Sequence, residues 1–259
     1  MGIFDLFKKK EQSSEKQENK ILLAMPMYNN GETFDIEKVV EYLKSNWNSV
    51  VTDINDKFMT VDGEMFALME IPAQIPWSDI QGTAQYAYNW KTAEKDLENH
   101  DSHTIVTLLS INKSQVERFS ILTKVLTSIL ATSNAIGVYQ GSQSLLIPRE
   151  QYLDSAEALK KGKTPVNLWV YIGLRKTDMG NNAYSYGLTA FDKLEMEFVN
   201  CKLEFEEMYD FLSNICAYVI NSNVTFKSGE TLGYTEEQKI KITQTKGLFV
   251  EGESLKLEM

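Results

Sequence analysis

The ordered hydrophobic pattern of the chain begins with an apolar run at residues 21–28, ILLAMPMY. Pro26 and the Asn29-Asn30-Gly31 turn end it, so it predicts a strand with an abrupt exit. Asp35 is placed to cap the next segment, where Ile36, Val39, Val40 and Leu43 form an i, i+3, i+4, i+7 stripe and predict an amphipathic helix. Two apolar runs then flank Asp62-Gly63, a two-residue hairpin signal in which glycine takes a positive φ. Ser78 with Gln81 fits a capping box just after Pro76 and predicts a long helix reaching about Glu98. Residues 104–110, TIVTLLS, read as a buried strand. The order is β-α-β-β-α-β, the ferredoxin-like arrangement of a four-stranded antiparallel sheet with two helices on one face.

Residues 114–133 contain no Gly or Pro and predict a strong helix. A second series follows: a strand region at 137–148, a helix at 149–161 closed by Gly162, and strands at 166–175 and 182–191 around a turn at Met179-Gly180-Asn181-Asn182. A helix at 204–222 and a hairpin at 239–250 and 253–259, split by Glu251-Gly252, complete it. The expected fold class is α+β, with two ferredoxin-like units in tandem. In this scheme residues 1–20 are a flexible tail, 21–112 the first unit, 113–134 a connecting helix and 135–259 the second unit.

With 43% hydrophobic residues in 259, the chain has enough apolar surface for a normal core, which excludes wholesale disorder. Its formal charge of −10 repels phosphate backbones and disfavours nucleic acid as a direct partner, while a basic protein would suit it. Cys201 and Cys216 are 15 positions apart, about 22 Å on a helix, which reads as two reduced thiols. No apolar run reaches the length of a membrane span, and the N-terminus lacks the order of a signal peptide, so a cytoplasmic location is expected. Ile3, Phe4, Leu6 and Phe7 are too few apolar groups to give a stable membrane anchor, even beside Lys8, Lys9 and Lys10.

Residues 166–175 alternate. Val166, Leu168, Val170, Ile172 and Leu174 point one way, and Asn167, Trp169, Tyr171, Gly173 and Arg175 the other. The second set places two large aromatics beside an arginine, a platform for a ligand or partner with Arg175 as a carboxylate or anion clamp. The competing reading is a packing face with Arg175 paired internally. Glu195 and Glu197, two apart on a strand, share a face and have the spacing for acid–base or cation-binding work, although a solvated face explains them equally. His100 and His103 are the only histidines; favourable contact with helix-terminal carbonyls accounts for them without a metal. Thr235 and Gln238 form a second capping-box pattern, which reads as a structural turn. Phosphate-binding loops, dinucleotide fingerprints, nucleophile elbows and zinc motifs are absent from the sequence, and no cofactor is expected.

Residues 183–198, AYSYGLTAFDKLEMEF, and 229–242, GETLGYTEEQKIKI, resemble the C-terminal signature of the bacterial domain of unknown function 4261 family, a G-L-x-x-F-x-K-x-E-x-E run followed by G-E/D-T-x-G-x-T/S-E-E. The resemblance implies no activity and no catalytic residue. It marks one departure, Asp192, where the family's F-G-K-x-E run has glycine. The expectation is a non-catalytic binding protein whose candidate face comprises Asn167, Trp169, Tyr171, Arg175, Tyr186, Glu195 and Glu197. The rival is an enzyme or small-ligand sensor with a pocket between the two halves, on which Arg175, Glu195, Glu197 and Tyr186 converge.

Overall fold

The computed structural model describes residues 21–234 and 238–258. The apolar cluster of the tail and the Thr235 start of the second capping pattern lie outside these residues. In chain order the elements are β1 (Leu22–Tyr28), α1 (Ile36–Trp47), β2 (Val51–Thr52), β3 (Phe58–Val61), β4 (Glu64–Ile71), α2 (Trp77–Ala84), α3 (Ala93–Leu97), β5 (Ser102–Leu108), α4 (Gln115–Thr132) and β6 (Gly137–Gln140). There follow β7 (Leu145–Pro148), α5 (Arg149–Lys160), α6 (Val166–Trp169), β8 (Tyr171–Thr177), β9 (Gly180–Tyr186), β10 (Glu195–Cys201), α7 (Phe205–Asn221), β11 (Thr231–Gly233), β12 (Lys239–Lys246) and β13 (Glu253–Glu258). No helix among the described residues is long and apolar enough to cross a membrane.

The described residues divide into two compact units: residues 21–75 with 99–138, and residues 76–98 with 139–258. The class is α+β, as expected, but the boundaries are not those of a tandem split at 113–134. The helix expected as a connector, α4, belongs to the first unit and buries Phe119, Leu122, Val125, Leu126, Ile129 and Leu130. Each such side chain taken fully from water contributes about 1.5–3 kcal/mol. Ser114 caps α4 through a capping box with Glu117.

In the first unit, strands run in the order β2-β3-β4-β5-β1, with β6 continuing past β1. A ferredoxin-like sheet would put β1 next to the hairpin. Here β5 stands between them, paired antiparallel with β4 (Phe66 opposite Leu108, Ile71 opposite His103) and with β1 (Leu22 opposite Leu108, Tyr28 opposite Ser102). Two contacts extend the β4–β5 pairing beyond the strands. His100 Nε2 accepts the Ile75 N–H (2.9 Å) and His103 Nδ1 lies 2.8 Å from the Ala73 carbonyl. These contacts hold residues 73–75 beside the start of β5, while residues 76–98 belong to the other unit. Both histidines therefore serve this junction; His100 is not on a helix, since α3 ends at Leu97. The long helix expected over 78–98 is broken into α2 and α3, and Ser78 caps nothing: Pro76 occupies the cap and Ser78 Oγ donates to Asp79.

In the second unit, the sheet runs β11-β12-β13-β10-β9-β8, with β10 and β13 parallel and the other pairs antiparallel. α7 buries Met208, Leu212, Cys216, Val219 and Ile220, and Phe211 meets Phe198 of β10 edge to face at 5.8 Å. Leu188–Phe191 form a short 3-10 turn ended by Asp192 at φ 58° and ψ 35°. That left-handed backbone explains the glycine of the family pattern, since a Cβ there is strained and aspartate is among the few residues that tolerate it. We expect Asp192→Gly to stay within about 1 kcal/mol of the native chain and Asp192→Val to cost about 1–2 kcal/mol, read by urea denaturation.

Candidate functional site

Pro165 starts a single helical turn at Val166–Trp169, closed by Val170 N–H on Val166 O at 2.8 Å. The alternation expected from residue 166 therefore begins only at Tyr171, and this divides the candidate face. Asn167 donates to Ser155 Oγ (2.7 Å). Trp169 is 1% exposed and stacks on Phe191 at 5.9 Å. Trp169 is thus an internal packing residue, and Asn167 is half-buried and tied to α5. Tyr171 and Arg175 do share a face of β8, and Tyr186 stands opposite Tyr171 on β9.

Across the sheet, Gly173, Tyr184, Glu197, Lys256 and Thr243 form one row in register. Gly173 is required in it: a Cβ there would come within 2.2 Å of the Tyr184 ring, which crosses the strand at that point. Phe249, in the turn between β12 and β13, stacks on Tyr184 at 5.4 Å. Arg175 lies beside this pair. Its guanidinium carbon is 5.5 Å from the centre of the Tyr86 ring, 5.9 Å from Tyr184 and 5.8 Å from Phe249. Tyr171 packs edge-on to Tyr184 at 6.1 Å and donates to Tyr86 O at 3.1 Å; Tyr88 donates to Ile172 O at 2.8 Å.

Burial, reinforced by neighbouring tyrosines, pushes the Tyr88 and Tyr171 hydroxyls well above the usual range, so both act as neutral donors. Arg175 itself is exposed, and among the described residues no carboxylate lies in ion-pair range of it. Next to it, Trp77, Tyr86, Tyr88, Trp90, Tyr171 and Leu174 line a groove of about 810 Å³. Tyr86, Tyr88, Tyr184 and Phe249 are members of this cluster that sequence reasoning missed.

The two glutamates do different work. Glu195 accepts from Ser185 Oγ (2.6 Å), Gly187 N–H (2.7 Å) and Thr189 N–H (3.3 Å), which fastens the 3-10 turn. Burial raises its pKa against the pull of those donors. Glu197 is fully buried and accepts from Leu248 N–H (3.1 Å), Phe249 N–H (2.6 Å), Ser254 Oγ (2.6 Å) and Lys256 Nζ. Burial opposes ionisation here too, but these donors prevail and lower its pKa. The carboxylate thus holds the turn that delivers Phe249 to Tyr184. Neither glutamate faces Arg175 as an acid–base partner.

Other described signature residues are also engaged within the unit. Leu188 and Phe191 are buried, Lys193 Nζ donates to Asn223 Oδ1 (2.8 Å) and Thr225 Oγ1 (2.9 Å), and Glu230 accepts from Lys227 N–H (2.9 Å). Cys201 and Cys216 are free thiols, and among the described residues no group of three His, Cys, Asp or Glu side chains is placed to hold a metal.

No curated protein and no solved structure matches the chain. The model of the family described as Domain of unknown function (DUF4261) matches residues 184–258, so the resemblance carried by residues 183–198 and 229–242 holds across the C-terminal part of the second unit.

Proposed function

We propose that the protein is a non-catalytic binding protein that grips an acidic group of a partner with Arg175 and the aromatic side chains around it. The observation that carries this is an exposed guanidinium set among Tyr86, Tyr184 and Phe249 with no carboxylate in ion-pair range among the described residues. The rings and the Tyr184 hydroxyl fix the position of the cation, and they engage only part of a guanidinium that carries five donors. An arginine fork held this way matches a carboxylate in geometry and charge. The saturated hydrogen bonding of Glu195 and Glu197 weighs against acid–base chemistry at this face. At longer range the charge of −10 favours approach of a partner that is basic overall, so steering and local contact use opposite signs.

The test is affinity capture from lysate of the native cell with the wild-type protein and Arg175→Ala in parallel, at low and high salt. One stoichiometric partner held by the wild type, weakened about tenfold or more by the substitution and by salt, is the expected result. A partner retained equally by Arg175→Ala, or capture of none at either salt, overturns the proposal.

A further inference from the structure

The outer strand of the second sheet has an open side. Among the described residues β8 pairs only with β9, and the register fixes which of its backbone groups face outward. The hairpin closes at Thr177 opposite Gly180, so Tyr171, Gly173, Arg175 and Thr177 exchange main-chain hydrogen bonds with β9. Ile172, Leu174 and Lys176 therefore turn their N–H and C=O groups away from the sheet. Tyr88 bears this out at one position, since its hydroxyl caps the outward carbonyl of Ile172 at 2.8 Å. Among the described residues no other segment supplies a main-chain partner for Leu174 or Lys176. Leu174 also lines the groove, whose walls carry Tyr86, Tyr88 and Trp90 together with Lys91, Lys95, Glu94 and Glu98, so the free stretch of edge adjoins a trough of aromatic and charged side chains.

Building on the reading of Arg175 above, we infer that this edge accepts an extended acidic segment of the partner as an added antiparallel strand, with a Glu or Asp side chain opposite Arg175. The register supports the pairing. Arg175 is hydrogen-bonded to β9, which makes it a non-hydrogen-bonded position toward a strand added outside, the type at which cross-strand side chains approach most closely. The charges agree as well. Arg175 and Lys176 are consecutive and both exposed, a basic stretch in a chain of net charge −10. Lysine on a sheet edge also discourages indiscriminate pairing. Here a carboxylate on the incoming strand removes that penalty, so the same residues that repel neutral or basic strands select an acidic one.

The probe is a blocked peptide, acetyl-Thr-Val-Glu-Val-Glu-Val-Thr-amide, titrated against the isotope-labelled full chain by NMR, with the Lys-for-Glu peptide as control. Two methylated versions of the Glu peptide separate strand pairing from simple charge attraction. With Glu opposite Arg175, the Val amides point at β8 and the Glu amides away from it, so N-methylation of the valines removes the inter-strand donors and N-methylation of the glutamates does not.

The expected result is binding of the Glu peptide with slowed amide exchange at Leu174 and Lys176. Binding falls at least about tenfold with N-methyl valines and stays within about threefold with N-methyl glutamates. It falls about fivefold for the Lys peptide or for Arg175→Ala. If both methylated peptides bind alike and Arg175→Ala still weakens them, the carboxylate is taken without strand addition; that overturns this inference and leaves the proposed function standing. Absence of binding to the wild type overturns it, and so does a dimer of the protein alone that Lys176→Pro dissolves, which assigns the edge to a second copy.

Discussion

Glu197→Ala is expected to destabilise the second unit by about 3–5 kcal/mol, while Glu195→Gln, two residues away on the same strand, costs about 1 kcal/mol or less. Removing the Glu197 carboxylate strands Lys256, whose side chain is only 15% exposed, and leaves the Leu248 and Phe249 N–H groups without their acceptor. Loss of one member of a buried pair leaves an uncompensated charge, and this outweighs the favourable removal of a buried carboxylate. At Glu195 the donors are neutral, and a glutamine oxygen can still accept from Gly187 and Thr189, so less is lost.

The pH dependence separates the two further. The lowered pKa of Glu197 means that its stabilisation is present above the ordinary glutamate value of about 4.3 and is lost as pH falls through the folded-state value. The raised pKa of Glu195 has the opposite sign: its contribution is complete below the ordinary value and declines as pH rises through the folded-state value. Urea denaturation from pH 3 to pH 8 should therefore show the wild type and Glu197→Ala converging in acid, and Glu195→Gln gaining on the wild type as pH rises. Amide exchange at Leu248 and Phe249 should accelerate only in Glu197→Ala. A Glu197→Ala protein within 1 kcal/mol of the wild type at pH 7 would remove the turn-holding role assigned here.

The features legible in the sequence were those decided by neighbouring residues. Asp35 caps α1 by accepting from Glu37 and Lys38 N–H groups, and Asp62-Gly63 turns the β3–β4 hairpin at φ 50° and 86°. The spacing of apolar positions in 204–222 matched α7 within a residue at each end. What the sequence concealed was decided by distant partners. Nothing local to 78–98 signals that its tyrosines belong beside β8, because Tyr86 and Tyr88 are placed by contacts to Tyr171 and Ile172 across 85 and 84 positions. Glu195 and Glu197 alternate as a solvated strand face would, and only the return of residues 248–254 over the sheet buries Glu197. In the same way, His100 and His103 fasten residues 73–75 to the start of β5, contacts with no trace in periodicity. Arg175 was recognisable as a candidate because an arginine between aromatics is unusual on a strand, but three of the rings nearest it were not.

Trp169→Ala is expected to cost about 3–5 kcal/mol, against about 1 kcal/mol or less for Arg175→Ala, although the alternation of residues 166–175 places both on one surface. The indole is almost fully buried, lies on Phe191 with the two planes 25° apart, and belongs to a turn further fixed by Gln140 Nε2 on Leu168 O at 3.2 Å. Its backbone crowds the 3-10 turn, since a Cβ on Gly187 would lie 3.0 Å from Trp169 O, so the space left by the missing ring cannot be closed by a simple shift of that turn. Arg175 is exposed and loses ring contacts and its interaction with the Tyr184 hydroxyl on truncation. Stability and partner capture measured on the same two variants therefore dissociate: Trp169→Ala lowers the denaturation midpoint and, where still folded, keeps the partner, whereas Arg175→Ala keeps the midpoint and loses it. Trp169→Phe, which retains a ring against Phe191, should recover more than half of the lost stability. A Trp169→Ala protein of native stability that fails to capture the partner would return the indole to the binding surface and displace the boundary drawn at Tyr171.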